Sequence, residues 1–350
     1  MARYGFGLIG CGVVSEFTSA AISEIPEARL VAVSSRTEAN RRKLMDKYGC
    51  EGTADYADLV ARKDIDVVCV CTPSGAHMEP ALAAARAGKH VVIEKPIEIT
   101  LERVDPIIRA CQEAGVGLCG MFPSRFSPAV RTLKQAVAAG RFGRLTMGDC
   151  YNKWWRDQAY YDSGAWRGTR ALDGGGACMN QGIHAVDLIQ WFMGPLESVF
   201  GRTACLCHTD IEVEDTAVAA VRYANGAMGV IECATSAWPG CERRIEIHGD
   251  KGSVSLVDDG FARWEFAEAR PEDEDIRRRF AAPTGTAGAG DARAIAHVNH
   301  REQLKDFIRS LETGGRPLVD GHEGRKAIEI ILAIYESSQS GTPIRLPLQR

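Results

Sequence analysis

A charged pair followed by proline marks the first place in this chain where chemistry could occur. Residues 91–93 read Val-Val-Ile, an apolar run typical of a strand buried on both faces of a parallel sheet, and Glu94, Lys95 and Pro96 follow it. Because Pro96 has no N–H for a strand ladder, the strand is predicted to end at Glu94 and Lys95. Ligands bind at the carboxyl ends of such strands, so Lys95 could reach both a cofactor and a substrate. The alternative is an ordinary surface lysine.

A second group of polar residues follows three successive glycines, Gly174 to Gly176. Asn180 and His184 are four residues apart and are predicted to share one face of a helix, together with Asp187. The glycines predict backbone N–H groups available at the amino end of that helix. A histidine alone on a helix is more often structural, but the amide one turn before it favours a functional role.

A glycine turn lies near the amino terminus. Residues 10–15 read G-x-G-x-x-S, directly after a predicted strand and at the start of a predicted helix. In such a turn Gly10 and Gly12 would let a pyrophosphate approach the helix, which opens with Val13 and Val14. Serine at the third position suits helix–strand packing. The pattern predicts a dinucleotide-binding turn.

The residues after the second strand bear on the choice of cofactor. An NAD-binding chain is expected to carry an acidic residue there, whereas this chain has Ser35 and Arg36. Serine does not repel a 2'-phosphate and Arg36 could pair with one, so the sequence predicts NAD(P)(H) with NADP(H) favoured over NAD(H). The alternative is that Arg36 stacks on adenine or lies in solvent.

Three further residues are predicted to contact the cofactor. Thr72 and Pro73 follow another strand and are expected at the same sheet edge as Lys95, and His77 lies at the start of the next helix. Glu94 is included in this group because it adjoins Lys95. Histidines in the position of His77 commonly cap or pack, so it is left out of the catalytic set.

The order of elements predicts an α/β protein with two domains. Strands and helices alternate from Tyr4 to Cys119, which indicates a doubly wound parallel sheet, and the alternation fades after Gly120. We therefore predict an NAD(P)-binding Rossmann domain over 1–122 and a substrate-binding α/β domain over 123–350. Hairpin signals such as Asn225-Gly226 predict antiparallel strands in the second domain. Residues 267–296 are predicted to form a mobile excursion.

Composition excludes several classes of protein. The chain has 350 residues, a formal net charge of −4 and no basic footprint, which argues against a nucleic-acid partner. No apolar run is long enough for a membrane span, and the chain enters a strand without a signal segment, so we expect a cytoplasmic protein.

The 12 cysteines contain no C-x-x-C pair and are expected to be reduced thiols. The Cys205 to His208 run lacks the second half of a zinc site, so no metal is predicted.

These motifs together resemble the glucose–fructose oxidoreductase, inositol dehydrogenase and rhizopine-catabolism (Gfo/Idh/MocA) family. The resemblance rests on Gly10-x-Gly12, Thr72-Pro73, Glu94-Lys95-Pro96 and the GGG-x5-G-x-H-x-x-D run over 174–187. It implies a second domain with a large open, mostly antiparallel sheet, often used to form a homodimer or homotetramer. It also implies nicotinamide-dependent oxidation or reduction of a sugar or polyol hydroxyl, with the family's lysine and histidine at Lys95 and His184.

One residue departs from the family pattern. Many members carry aspartate where this chain has Asn180, which removes a carboxylate from that position. Asparagine there, with the preceding Trp166-Arg167-Gly168-Thr169, resembles the branch that acts on pyranosides and nucleotide sugars.

The leading hypothesis is reversible oxidation of a secondary hydroxyl on a sugar, glycoside or nucleotide sugar. His184 is assigned as the base, Lys95 as the donor to the developing oxyanion and a contact of the nicotinamide ribose, and Asn180 as the residue that orients the sugar or the imidazole. Planar donors and aromatic rings suit hydroxyl-rich ligands. Candidate sugar contacts of this kind, any of which could instead be structural, are Arg125, Tyr161, Trp166 and Arg167.

Two other functions remain open. The first is a glycoside-cleaving enzyme that oxidises, eliminates and reduces back on a tightly held nicotinamide. The second is a catalytically silent regulator that binds the cofactor, against which the presence of both Lys95 and His184 argues.

Overall fold

The computed structural model describes residues 3–282 and 297–349. They divide into two compact units, each described by itself below. The first unit comprises residues 3–123 and 297–325, and the second comprises residues 124–282 and 326–349.

The elements alternate in the first third of the described chain and are mostly strands thereafter. The strands are β1 Tyr4–Ile9, β2 Ala28–Ser34, β3 Glu51–Thr53, β4 Val67–Val70, β5 His90–Ile93, β6 Leu118–Gly120, β7 Leu145–Lys153, β8 Leu196–Ala204, β9 Thr216–Tyr223, β10 Met228–Ala234, β11 Arg244–Gly249, β12 Gly252–Val257, β13 Gly260–Phe266 and β14 Ile344–Arg345. The helices are α1 Val13–Ser23, α2 Glu38–Tyr48, α3 Tyr56–Val60, α4 Met78–Arg86, α5 Leu101–Glu113, α6 Pro128–Ala138, α7 Gln158–Asp162, α8 Ile183–Met193, α9 Glu272–Arg279, α10 Val298–Thr313 and α11 Gly321–Ser340.

The first unit contains a parallel sheet in the order β3-β2-β1-β4-β5-β6. One row of its register runs through Leu8, Cys69, Val92 and Cys119, all of which are buried. Because helices cover both faces of such a sheet, its central strands are continuous apolar runs, as in the fully buried β4. The predicted doubly wound sheet is confirmed.

Helix α10 belongs to this first unit although it lies far along the chain. Its residues Leu304, Phe307 and Ile308 are spaced for one helical face and join the hydrophobic core that contains Leu8. The Gln303 Nε2 atom also donates a hydrogen bond of 2.8 Å to the carbonyl of Gly120. The alternation of strands and helices in the sequence did not predict that residues 297–325 belong to the first unit. The apolar stripe of a helix does not indicate which core the helix will join.

The second unit contains a sheet in the order β13-β12-β11-β7-β10-β9-β8-β14, in which β7 and β10 are parallel and the other pairs are antiparallel. The predicted hairpin around Asn225-Gly226 joins β9 to β10, and Gly226 has a φ of +89°. A large, mostly antiparallel sheet is therefore confirmed.

One face of this second sheet is covered and the other is largely exposed. Helix α8 packs against β7 and β11, while the Ser337 Oγ atom of α11 accepts a hydrogen bond from the N–H of Gly201 in β8. Strand β9 alternates between buried and exposed residues along its length, as expected when one side of a sheet faces helices.

Part of the predicted excursion is structured. Residues 272–279 form α9, and 283–296 lie outside the described residues. Among the described helices, none has the length and apolarity that a membrane span requires.

Candidate active site

In the glycine turn before α1, the neighbouring backbone leaves no room for a side chain at Gly10, whereas the space at Gly12 is open. Gly10 has a φ of +95°, and a Cβ atom there would lie 2.5 Å from the carbonyl oxygen of Cys71. Nothing lies within 4 Å of the corresponding position at Gly12, the amino-terminal cap of α1. Ser15 is fully buried and donates a hydrogen bond to the Gly12 carbonyl, as expected of a packing position. The turn therefore leaves room for an anionic group at the start of the helix.

The neighbouring cofactor candidates lie at the same edge of the parallel sheet. Val13 is exposed and Val14 half-buried in the first turn of α1. Thr72 and Pro73 are half-buried directly after β4, which pairs with β1. The structure thus brings these residues together around the amino end of α1.

Lys95 is half-buried directly after β5, at that same edge. The loop that carries it is fastened by His77, whose Nδ1 lies 2.9 Å from the carbonyl oxygen of Pro96 and whose Nε2 lies 2.8 Å from that of Thr72. His77 is 1% exposed, and burial lowers its pKa. Both ring nitrogens of His77 thus bridge two strand-end loops, which gives this residue a positioning role, and its cofactor contact stays a prediction.

Glu94 lies buried behind the Lys95 turn. Its Oε1 atom is 3.3 Å from the Thr18 hydroxyl and 4.0 Å from Nε2 of His300. Burial raises the pKa of Glu94 to about 7, against the opposing effect of the Lys95 charge, and burial lowers the pKa of His300 to about 4. His300 is therefore neutral at neutral pH, and the two side chains do not form an ion pair there.

The residues predicted to read the cofactor's ribose lie at the end of β2. Ser35 is half-buried and Arg36 is exposed, and Arg36 has no ion pair with any residue that the structure describes. This arrangement leaves the guanidinium accessible to a ligand phosphate.

In the second unit, the triple glycine has a different role from the one predicted. The Glu214 carboxylate accepts hydrogen bonds from the N–H groups of Gly176 at 3.0 Å and Cys178 at 2.8 Å, and from the Tyr335 hydroxyl at 2.8 Å. A Cβ atom at Gly175 would lie 2.1 Å from that hydroxyl. The glycines therefore allow close packing of Glu214 and Tyr335, and the Glu214 carboxylate occupies N–H groups that were expected to be available.

The helix that carries the predicted base begins irregularly. Residues Ala177–Gly182 form a π-helical turn, and α8 continues from Ile183. Asn180 and His184 are both half-buried, one in each segment. Asn180 donates a hydrogen bond to Asp173 Oδ1 and accepts one of 2.7 Å from Gln181 Nε2. The wider turn was not apparent from the sequence, and such turns are frequent at functional sites.

Arg125 forms a buried ion pair in the second unit. It is fully buried, and its Nε and Nη2 atoms donate hydrogen bonds of 2.8 and 2.7 Å to the carboxylate of Asp187, which is also fully buried. The guanidinium also lies over the Trp191 ring, 4.9 Å from its centroid. This bidentate pair fastens α8 to the segment before α6, which is a structural role, and the sugar contact of Arg125 stays a prediction.

Tyr161 is likewise a packing residue. It is 5% exposed, and its hydroxyl lies 2.8 Å from the Thr235 hydroxyl. Its ring packs edge-on against His208, whose Nδ1 is 3.0 Å from Asp215 Oδ2 and whose Nε2 is 2.7 Å from the carbonyl of Arg156. These contacts hold the Tyr161 hydroxyl and occupy both ring nitrogens of His208, and the sugar contact of Tyr161 stays a prediction.

A polar network that the sequence analysis missed surrounds the remaining candidates, Trp166 and Arg167. Gln181 accepts a hydrogen bond of 2.9 Å from Arg156 Nη2 and donates one of 2.8 Å to the hydroxyl of Tyr160. The same hydroxyl accepts a bond of 2.6 Å from Arg167 Nη1. The sequence signal for this network is the density of aromatic and arginine residues over 154–167, which does not indicate which side chains form hydrogen bonds with one another.

Comparison with known proteins places the chain in a family. Residues 4–120 match a family profile described as an oxidoreductase family with an NAD-binding Rossmann fold, and residues 130–255 match the GFO/IDH/MocA C-terminal domain. Together these matches span more than half of the chain.

Relatives align over nearly the whole chain. A WlbA dehydrogenase from Bordetella pertussis, solved in complex with NADH and UDP-GlcNAcA, is 35% identical with a TM-score of 0.90, and the alignment covers 100% of this chain and 99% of that one. Myo-inositol 2-dehydrogenase of Thermotoga maritima is 29% identical over 97% of this chain and 98% of its own length. A 2,7-anhydro-N-acetylneuraminate hydratase of Mediterraneibacter gnavus is 25% identical over 99% of this chain and 97% of its own length. The predicted enzyme class and resemblance are confirmed: the chain belongs to the Gfo/Idh/MocA family of nicotinamide-dependent oxidoreductases.

Proposed function

We propose that this protein transfers hydride between a nicotinamide cofactor and a secondary ring hydroxyl of a nucleotide sugar. The observation that carries the proposal is the 35% identity, over the full chain, to a dehydrogenase bound to NADH and UDP-GlcNAcA. Asparagine at position 180 and the Trp166-Arg167 pair support the same substrate class.

The open turn at Gly12 and the strand-end residues Thr72 and Lys95 suit a dinucleotide at the amino end of α1. When bound, the nicotinamide supplies the hydride acceptor or donor. For the choice of cofactor, Arg36 favours NADP(H), whereas the related WlbA structure contains NADH.

His184 is proposed to take the proton of the reacting hydroxyl as the carbonyl forms, and to return it in the reverse direction. Lys95 is proposed to donate a hydrogen bond to the same oxygen as negative charge develops on it. Asn180 is held by Asp173 and Gln181, so its amide is fixed and can orient the sugar without exchanging a proton.

The function is tested with purified protein, NAD+ or NADP+, and three compounds: UDP-GlcNAcA, UDP and myo-inositol. We expect nicotinamide reduction with UDP-GlcNAcA, none with UDP, and at most slow reduction with myo-inositol. A clear preference for myo-inositol would contradict the nucleotide-sugar proposal while leaving the family assignment intact.

The roles of Lys95 and His184 are tested by Lys95→Met and His184→Asn. We expect each variant to keep its fold and most of its cofactor affinity and to lose turnover by roughly 100-fold or more, because each removes a group that acts in the transition state. Lys63→Met, at an exposed position of the first unit, is the matched control and should keep full turnover. Near-normal turnover in Lys95→Met would remove this lysine from the chemistry.

A second candidate is cleavage through a transient keto sugar, which is favoured by the relative named as a hydratase. That reaction returns the hydride within each turnover, so it would release a cleaved product without net nicotinamide reduction. Product analysis alongside the absorbance assay distinguishes the two functions.

A further inference from the structure

Arg167 is held between two aromatic rings on the second unit. Its guanidinium carbon lies 4.3 Å from the ring centroid of Tyr160 and 4.6 Å from that of Trp166. Its Nε atom donates to the Ser163 hydroxyl at 3.1 Å and its Nη1 atom donates to the Tyr160 hydroxyl at 2.6 Å. These contacts fix the plane of the guanidinium and leave the Nη2 edge without a hydrogen bond to any residue of the described ranges.

The charge of Arg167 also has no carboxylate partner within the part of the chain that the structure describes. This differs from two other arginines of the same unit: Arg125 pairs with Asp187 at 2.7 Å, and Arg141 pairs with Asp273 at 2.6 Å. The charge of Arg167 is stabilised by the Tyr160 and Trp166 rings and by solvent rather than by a carboxylate. The fold therefore holds a fixed positive group that can attract an anion.

A second guanidinium lies on the same tyrosine ring as Arg167. The guanidinium carbon of Arg156 lies 5.5 Å from the centroid of the Tyr160 ring. The Asp173 carboxylate also affects the Tyr160 hydroxyl, and it accepts a hydrogen bond of 2.9 Å from the N–H of Gly168. The Tyr160 side chain is thus surrounded by charged groups that fix its position.

Arg167 is also joined to the predicted catalytic helix by a short chain of hydrogen bonds. The Tyr160 hydroxyl that accepts from Arg167 also accepts from Gln181 Nε2 at 2.8 Å, and the same Nε2 donates to Asn180 Oδ1 at 2.7 Å. Asn180 lies one turn before His184. An anion on the Nη2 edge would therefore be placed at a fixed position relative to Asn180.

We propose that Arg167 binds an oxyanion of the substrate through its Nη2 edge and so selects anionic sugar derivatives over neutral polyols. The planar guanidinium matches a carboxylate or a phosphate, so the anion is either a carboxylate on the sugar ring or the diphosphate of the nucleotide. This inference rests on the proposed function, since it specifies which nucleotide sugars the enzyme takes.

The test measures equilibrium binding and turnover in the wild type, Arg167→Met and Arg167→Lys. The ligands are UDP-GlcNAcA, UDP-GlcNAc and UDP, which differ in the ring carboxylate and in the sugar. If Arg167 binds the ring carboxylate, Arg167→Met should weaken UDP-GlcNAcA roughly tenfold or more and leave UDP-GlcNAc within about twofold. If it binds the diphosphate, all three ligands should weaken to a similar extent. Arg167→Lys keeps the charge without the fork and should give intermediate losses.

The control is Arg131→Met on α6. This substitution removes an exposed guanidinium that lies 4.7 Å from the centroid of the Phe126 ring. Circular dichroism of each variant verifies folding, and Arg167→Lys keeps the test valid if Arg167→Met does not fold. Unchanged affinities in both Arg167 variants, with UDP-GlcNAcA still oxidised by the wild type, would overturn the role of Arg167 alone. Oxidation of only neutral polyols, equally fast in wild type and Arg167→Met, would overturn both proposals.

Discussion

Arg36 is the residue on which cofactor choice is predicted to depend. It is exposed in the loop after β2. The preceding Ser35 is uncharged and does not repel a 2'-phosphate. Arg36→Ala is expected to weaken NADP binding roughly tenfold or more and NAD binding by less than about twofold, since only NADP carries that phosphate. Titration of both cofactors measures the difference, and Arg42→Ala, an exposed arginine on α2, is the control. Equal losses for both cofactors would mean that Arg36 contacts another part of the nucleotide.

Burial of Glu94 makes the folded protein less stable as the pH rises. A carboxylate in an ion pair has the opposite effect. Its pKa is raised from 4.5 to about 7 by burial, so the folded protein keeps a proton that the unfolded chain releases between these values. The fold is therefore penalised progressively as pH rises through this window, and the full penalty applies above about pH 7. Two cationic groups oppose this effect of burial. They are Lys95 and, only when protonated at low pH, His300.

Glu94→Gln should remove that penalty. We expect the variant to resemble the wild type near the lower end of the window and to be more stable than it at about pH 8, by at most roughly 3 kcal/mol. Chemical denaturation at the two pH values measures the free energies of unfolding, and Glu113→Gln, at an exposed position on α5, is the control. A wild-type advantage at the higher pH would show that the buried carboxylate is stabilised by contacts stronger than its desolvation.

At the scale of elements, the start of helix α8, which carries the proposed base His184, depends on a residue distant in sequence. Glu214 accepts hydrogen bonds from Gly176, Cys178 and Tyr335, and it precedes β9 rather than α8. Because Asn180 lies in the π-helical turn that these bonds begin, the carboxylate determines where Asn180 and His184 are held.

Glu214→Ala is therefore expected to lower both stability and turnover. Leaving two buried N–H groups without an acceptor should reduce the free energy of unfolding by roughly 2–4 kcal/mol, and the displaced turn should lower kcat more than cofactor affinity. Tyr335→Phe removes only one donor and should cost about 1 kcal/mol with turnover nearly preserved. A Glu214→Ala protein with unchanged unfolding free energy and kcat would show that the glycine turn holds its shape unaided.

The elements that sequence predicted best are those specified by local signals. The apolar run of β4 and the Asn225-Gly226 turn each define their structure within a few residues. The roles of Arg125 and His77 could not be predicted in this way, because they depend on partners brought close only by the folded chain. Arginine and histidine suit a ligand and a buried partner equally well, so residue type alone does not decide between these roles.

At the scale of the whole molecule, the outer face of the second sheet carries several exposed apolar residues. The large hydrophobic residues on this face are Phe200, which is 39% exposed, Met147 at 46%, Val218 at 48% and Met228 at 64%. They lie on β8, β7, β9 and β10, and charged residues such as Arg202, Arg222 and Glu232 lie between them in the register. Apolar groups interspersed with charged ones suit an association surface, and we propose that the protein forms a homodimer or homotetramer through this face.

Val218→Asp tests that proposal. Val218 pairs in register with Arg202 on β8 and Glu232 on β10, so the substitution places a carboxylate near the centre of the outer face without disturbing buried residues. We expect the dissociation constant of the oligomer to rise tenfold or more, because desolvating a carboxylate in an interface costs more than the neighbouring Arg202 returns. Val298→Asp, at a similarly exposed position on α10 of the first unit, should leave association unchanged. Sedimentation equilibrium measures both variants, and a wild-type protein that sediments as a monomer at micromolar concentration would refute association through this sheet.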